Sequence, residues 1–258
     1  MKDLLGFSLP LIPYTLCWWV IGASDRVIIQ YTIGVAYNGV YAVASKFSSL
    51  YKMASNIFQT AWMESAYESA EEKDSNLYYQ KMINSAVRFY SACNIGVIAV
   101  IPFVFDWLIH IEFAEAYQYV PILLTAVMFH SVSAMYGALY FAQKRTRQVL
   151  GSVLLAAAVN VIINIALIQK LGLYAAALST LIAYCAMMQI RYGEMKKRMG
   201  ISIRRDYWMI SAAVYLVVFL GYYSKIVWIQ AAGLAVAVIY AVITNRNLLL
   251  AIVRKKRA

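Results

Sequence analysis

The chain has 258 residues, 63% of them hydrophobic and 14% charged, with a mean hydropathy of +0.64. A soluble globular domain is about 45–50% apolar and about 25% charged, so this composition excludes one and points to an integral membrane protein. The net charge of +11 does not mark a nucleic-acid binder, because the basic residues border apolar segments and do not gather on a soluble face.

A helical crossing takes about 20 apolar residues. Counted that way, the sequence predicts an all-α, polytopic membrane helix bundle of about eight transmembrane helices. The segments are too long and too numerous for the strands of an outer-membrane barrel.

The first segment, Leu4–Gly34, is too long for a signal peptide and has no small-residue cleavage site, so it reads as a span. Pro10 and Pro13 remove backbone donors and are expected to kink or break it near its inner end, as a packing kink or a hinge. Ser8, Thr15, Gly22 and Arg26 fall on one face. Asp25 and Arg26 lie deep in the apolar run.

The second segment, Ala36–Met63, is apolar yet carries Lys46 and Lys52. Ser45, Ser48, Ser49, Lys52, Ser55, Asn56 and Gln59 recur at helical spacing, with Val43, Phe47, Leu50, Ala54, Ile57, Phe58 and Ala61 opposite. A charge in hydrocarbon costs at least ~2.5–3.5 kcal/mol, so such residues face protein or water. The stripe is therefore read as the wall of a polar cavity. Helix rise sets Asp25 and Lys46 at similar depth, ~13 and ~12 Å below their outer ends. An Asp25–Lys46 pair is expected, with Arg26 left free for a ligand. Lys52 lies deeper, ~21 Å down, with no acidic residue at its level.

The acidic connection Glu64–Gln80 is expected to form a short surface helix before the third span, Ile83–Ile109. Asp106, Glu112 and Glu115 form a solvated rim beyond it. The fourth and fifth spans are Val120–Gln143 and Val149–Ile168. Asn160 and Asn164, one turn apart in the fifth, are expected to bond across helices. The sixth span is Leu171–Tyr192. The basic connection Gly193–Asp206 then divides a six-helix lobe, 1–192, from 193–258, which holds the terminal pair Tyr207–Tyr223 and Ile226–Ile243 and a basic tail.

Charge supports this count. With both termini placed in the cytoplasm, eighteen Lys and Arg residues fall on inside connections, Arg191 counted with the basic run that follows it, two (Lys170 and Lys225) outside, and three (Arg26, Lys46 and Lys52) within spans. Cys17, Cys93 and Cys185 sit in separate apolar segments as small core residues. His110 and His130 have no ligand-spaced neighbours, so no metal or other cofactor is expected. Neither a phosphate-binding Gly-rich loop nor a nucleophile elbow occurs, and nothing reads as an enzyme.

Fixed cations beside Ser, Asn and Gln suit an anionic, hydroxyl-rich ligand. The candidate cavity residues are Asp25, Arg26, Lys46, Lys52, Asn56 and Gln59. The order Phe7-Ser-Leu-Pro-Leu-Ile-Pro13, Trp18-Trp19 and Ser24-Asp25-Arg26 resembles the start of the second half of polysaccharide flippases. Asn38-Gly39-Val40-Tyr41, Ala44-Ser45-Lys46 and Gln59-Thr60-Ala61-Trp62 continue the likeness. Tyr119-Val120-Pro121, Lys144 with Thr146, and Asn160 with Asn164 carry it on. It covers about Leu4–Arg191 and is thin afterwards.

These are the polysaccharide biosynthesis proteins of the multidrug/oligosaccharidyl-lipid/polysaccharide exporter superfamily. The resemblance implies a bacterial inner-membrane flippase for undecaprenyl-diphosphate-linked oligosaccharide, such as an O-antigen or capsule repeat unit, working by alternating access between two six-helix lobes. It implies that Arg26, Lys46 and more loosely Lys52 receive the diphosphate and sugar. Such proteins usually have twelve or fourteen helices, and only the second lobe and final pair are matched. The expected partners are therefore the lipid-linked oligosaccharide, membrane lipids, and a first lobe from a separate chain or a second copy. The alternatives are an accessory subunit or truncated remnant, and a peptidoglycan-lipid or multidrug exporter relative. A membrane polymerase or ligase would want a larger outer loop, and a cation exporter more intramembrane carboxylates than Asp25.

Overall fold

The structure, a computed structural model, describes residues 8–69 and 75–255, with side chains to residue 246. Eight long α-helices and one 3-10 helix account for nearly all of these residues, and no strand occurs among them. The helices are α1 (Leu11–Thr32), α2 (Val35–Glu68), α3 (Ser75–Leu108), α4 (Val120–Ala142), α5 (Thr146–Leu171), α6 (Leu173–Met199), α7 (Arg205–Ser224) and α8 (Val227–Lys255). The 3-10 helix, Ile111–Gln118, links α3 to α4.

The chain is a multi-pass helical membrane protein: α3 to α8 are long and apolar enough to cross a bilayer. Helices α1 and α2 are also long enough but more polar, through Asp25, Arg26, Lys46, Lys52 and the α2 serines.

Ser8 is helical, Leu9 and Pro10 form a turn and α1 starts at Leu11, so the helical run breaks at Pro10 near its inner end as expected, with Pro13 in the first turn of α1. Amides there have no intrahelical acceptor to lose, which makes the first turn the place where proline costs least. Among the described residues, the two ends of the Glu64–Gln80 connection belong to its flanking helices, not to a separate surface helix. Helix α2 runs on to Glu68 and α3 begins at Ser75; the connection's remaining acidic stretch lies outside the described residues. Each of these helices has 34 residues, ~51 Å of rise against a ~30 Å core, so both must project beyond the bilayer. Finally, Arg191 is not in a solvated connection but buried inside α6, at 2% exposure.

Helix α4 is buried on almost all sides and forms the axis of the bundle. Around it, α1 packs against α5, α5 against α6, and α2 and α6 against α4. Indole and amide side chains tie the ring to that axis. Trp62 donates to Met135 O at 2.9 Å, and Asn94 to Leu124 O at 2.8 Å. Bonds of this kind in a membrane average about 0.6 kcal/mol each, so their larger effect is to set helix register.

The terminal pair α7–α8 lies against α3. At one end, Gln80 and Asn84 of α3 clamp the α6–α7 connection: Ser202 N donates to Gln80 Oε1 at 2.7 Å, and Arg204 N to Asn84 Oδ1 at 3.2 Å. At the other end, Tyr117 and Tyr222 each donate to the other's backbone carbonyl, with their rings stacked 4.2 Å apart.

Candidate functional site

Two polar features lie between the helices, one above the other along α1. The first surrounds Asp25, which is 4% exposed. Its carboxylate accepts from Tyr41 Oη on α2, Asn164 Nδ2 on α5 and Thr180 Oγ1 on α6, each at 2.8 Å, and from Asn160 Nδ2 at 3.3 Å. Asn160 Oδ1 in turn accepts from Ser24 at 3.0 Å. Four helices are thus joined through one acid.

The expected Asp25–Lys46 pair is absent. Neutral donors from α2, α5 and α6 satisfy Asp25, while Lys46 lies on the outward side of α2 with Leu50, Met53 and Ile57. A depth estimate from helix rise fixes height but not rotation, and rotation decides this contact. The cage also explains the two asparagines, which bond across helices as expected. Its unpaired acceptor is Asn164 Oδ1. Among the described residues, no three His, Cys, Asp or Glu side chains group together.

The second feature is a cavity of about 410 Å³ between α1, α2, α4 and α6. Tyr14 and Trp18 line it from α1, and Asn56, Gln59 and Thr60 from α2. His130 and Gly137 line it from α4, and Arg191 from α6. The α2 stripe faces inward only in part, with Ser49 and Asn56 exposed and Val43 and Phe47 of the opposite set half-buried against the core. Ser48 and Ser55 are buried and Lys52 and Gln59 half-buried, whereas Leu50, Met53, Ile57 and Phe58 face outward. Lys52 places its Nζ 5.6 Å from the centre of the Trp18 ring, and that ring meets His130 edge-on at 4.9 Å. Lys52 thus stands at the rim of the cavity, and Asn56 and Gln59 in its wall.

Arg191 is the residue that sequence reasoning missed. Its Nε donates to Ser152 Oγ at 2.9 Å and its Nη1 to Ser133 O at 3.0 Å, while Nη2 has no partner. Glu194, one turn on, is taken by Tyr140 Oη at 2.7 Å and by Arg198 at 2.9 Å. No ion pair among the described residues involves Lys52 or Arg191. Arg191 in the cavity wall and Lys52 beside Trp18 thus have no carboxylate partner among the described residues, in a setting where a bare charge is costly. An anion is what the cavity can receive.

Arg26 stands apart. Its side chain is exposed, on the strip it shares with Ser8, Thr15 and Gly22, all of which face outward. Asn38 on α2 donates to its backbone carbonyl at 3.0 Å. The six candidate residues thus divide: Asp25 in the cage, Lys52, Asn56 and Gln59 at the cavity, Arg26 and Lys46 on the outer surface.

No family model, curated protein or solved structure matches the chain.

Proposed function

We propose that this chain is one lobe of a transporter that moves an anionic, lipid-linked oligosaccharide across the bacterial cytoplasmic membrane. The ligand class is an undecaprenyl-diphosphate-linked repeat unit for surface polysaccharide, and the mechanism is alternating access. The observation that carries this reading is the presence of Arg191 in the cavity wall and Lys52 beside its Trp18, cations without acidic partners among the described residues, within a membrane bundle. Arginine grips phosphate through its planar fork and lysine as a point charge. Asn56 and Gln59 offer amides to sugar hydroxyls, and Trp18 and Tyr14 offer rings to pyranose faces.

Alternating access needs two lobes rocking about one site. The outward-facing Arg26, on a strip with Ser8, Thr15 and Gly22, supports a second lobe, because a guanidinium turned towards lipid is costly and protein or water would solvate it. A separate first-lobe chain or a second copy would cover that strip and bring Arg26 to the shared chamber. The test is genetic and quantitative. Lys52→Ala and Arg26→Ala should each abolish surface polysaccharide while leaving the amount of membrane-inserted protein unchanged. Normal polysaccharide in both variants removes this assignment.

A further inference from the structure

The terminal pair holds a second basic pocket that transport does not use. It has a volume of about 290 Å³ and lies between α3, α7 and α8, at the end of the bundle where α7 begins. Arg88 enters it from α3, Tyr207 and Ile210 from α7, and Tyr240, Ile243 and Arg246 from α8.

Tyr207 sits between two guanidinium groups. Arg88 lies 5.0 Å and Arg204 5.1 Å from its ring centre, and Arg88 Nη1 also donates to its hydroxyl at 3.2 Å. Arg88 Nη2 donates to Ser85 at 3.1 Å, and its Nε has no partner. The acid beside this group, Asp206, is held by Arg204 at 2.8 Å. Arg88 and Arg246 therefore face the pocket with no carboxylate in its lining.

The pocket's height and surroundings point to its ligand. Arg246 lies 19 residues beyond Val227, ~29 Å along α8, about the full depth of the hydrocarbon core. The pocket is thus at headgroup level on the side carrying the basic connections. Below it the pair turns large apolar side chains outward, Ile210 at 50% exposure, Val242 at 51% and Ile243 at 65%. A phosphate held above a groove of aliphatic side chains has the shape of a phospholipid. Basic pockets between helices on the cytoplasmic side bind such headgroups, and each Lys or Arg near an anionic leaflet contributes about 1 kcal/mol.

We infer that Arg88, Tyr207 and Arg246 form a specific site for the phosphate of an anionic phospholipid. The site holds the terminal pair against α3 and is independent of the transport cavity. The test uses the full chain, purified in neutral detergent and mixed with cardiolipin, phosphatidylglycerol or phosphatidylcholine, with retained lipid read by native mass spectrometry. The anionic lipids should stay bound and phosphatidylcholine should not. Arg88→Gln should weaken retention at least tenfold. Arg246→Gln, at an exposed position, should weaken it about fivefold without disturbing the fold. Lys170→Gln with Lys225→Gln, at the opposite end, should leave it unchanged. Equal retention of neutral and anionic lipid, or unaltered retention in Arg246→Gln, overturns the site. So does saturation by inorganic phosphate with no lipid retained.

Discussion

Arg191 fills the space that a side chain on residue 137 would need: a Cβ there would lie 2.9 Å from its Nη1. Glycine at 137 thus lets the guanidinium come flush against α4, where Nη1 reaches Ser133 O. Gly137→Ala must move either α4 or the guanidinium, and overpacking of this kind costs about 1–3 kcal/mol, offset in part by the roughly 0.5–1 kcal/mol that alanine gains over glycine in a helix. Gly193→Ala, at a helical position with nothing within 4 Å, should instead stabilise by roughly 0.5–1 kcal/mol. Unfolding of the two variants in micelles should therefore move in opposite directions. A neutral Gly137→Ala would mean that Arg191 does not hold this position.

The Asp25 cage makes a graded prediction. Thr180→Val deletes one donor and keeps the side-chain shape, which should cost roughly 0.6–1.7 kcal/mol, as for an interhelical hydrogen bond in a membrane. Asp25→Ala removes the acceptor of four donors on three other helices and should cost clearly more. Combining the two should cost much less than the sum, since the threonine then has nothing left to hold. Additive losses in that double variant would show that Asp25 and Thr180 act separately.

The sequence made the class, the helix count and the inward part of the α2 stripe legible, because these rest on apolar run length and a 3.6-residue period that composition alone displays. Lys52, Asn56 and Gln59 were found that way. Arg191 was hidden for a physical reason. It stands next to the basic run Lys196–Arg198, so proximity in sequence suggested a solvated connection, while α6 continues to Met199 and carries it inward. The Asp25 partners were not legible: only Lys46 was set at its depth, and Asn160 and Asn164 were expected to bond across helices without a named partner. Partner choice depends on helix rotation, and opposite charge misled where four neutral donors were better placed. Arg26 and Lys46 face outward, which a single chain's apolar pattern cannot distinguish from facing another lobe.

That last ambiguity yields to chemistry at single cysteines. In a background of Cys17→Ala, Cys93→Ala and Cys185→Ala, cysteine at 52 should react with a membrane-impermeant thiol reagent, because Lys52 stands at the rim of the cavity beside Trp18. Cysteine at 50 should react at least tenfold more slowly, since Leu50 is 67% exposed on the apolar outward side of α2, where lipid excludes the reagent. Position 46 lies on that same side and decides between its two possible neighbours. Slow labelling, like that at 50, places Lys46 against acyl chains and takes it out of any ligand site. Fast labelling, like that at 52, means that the side holding Leu50, Met53 and Ile57 borders water, as the cleft between two lobes would. Equal slow labelling at all three positions would mean that water does not reach the cavity, and the transport reading would then lose the path on which its ligand must travel.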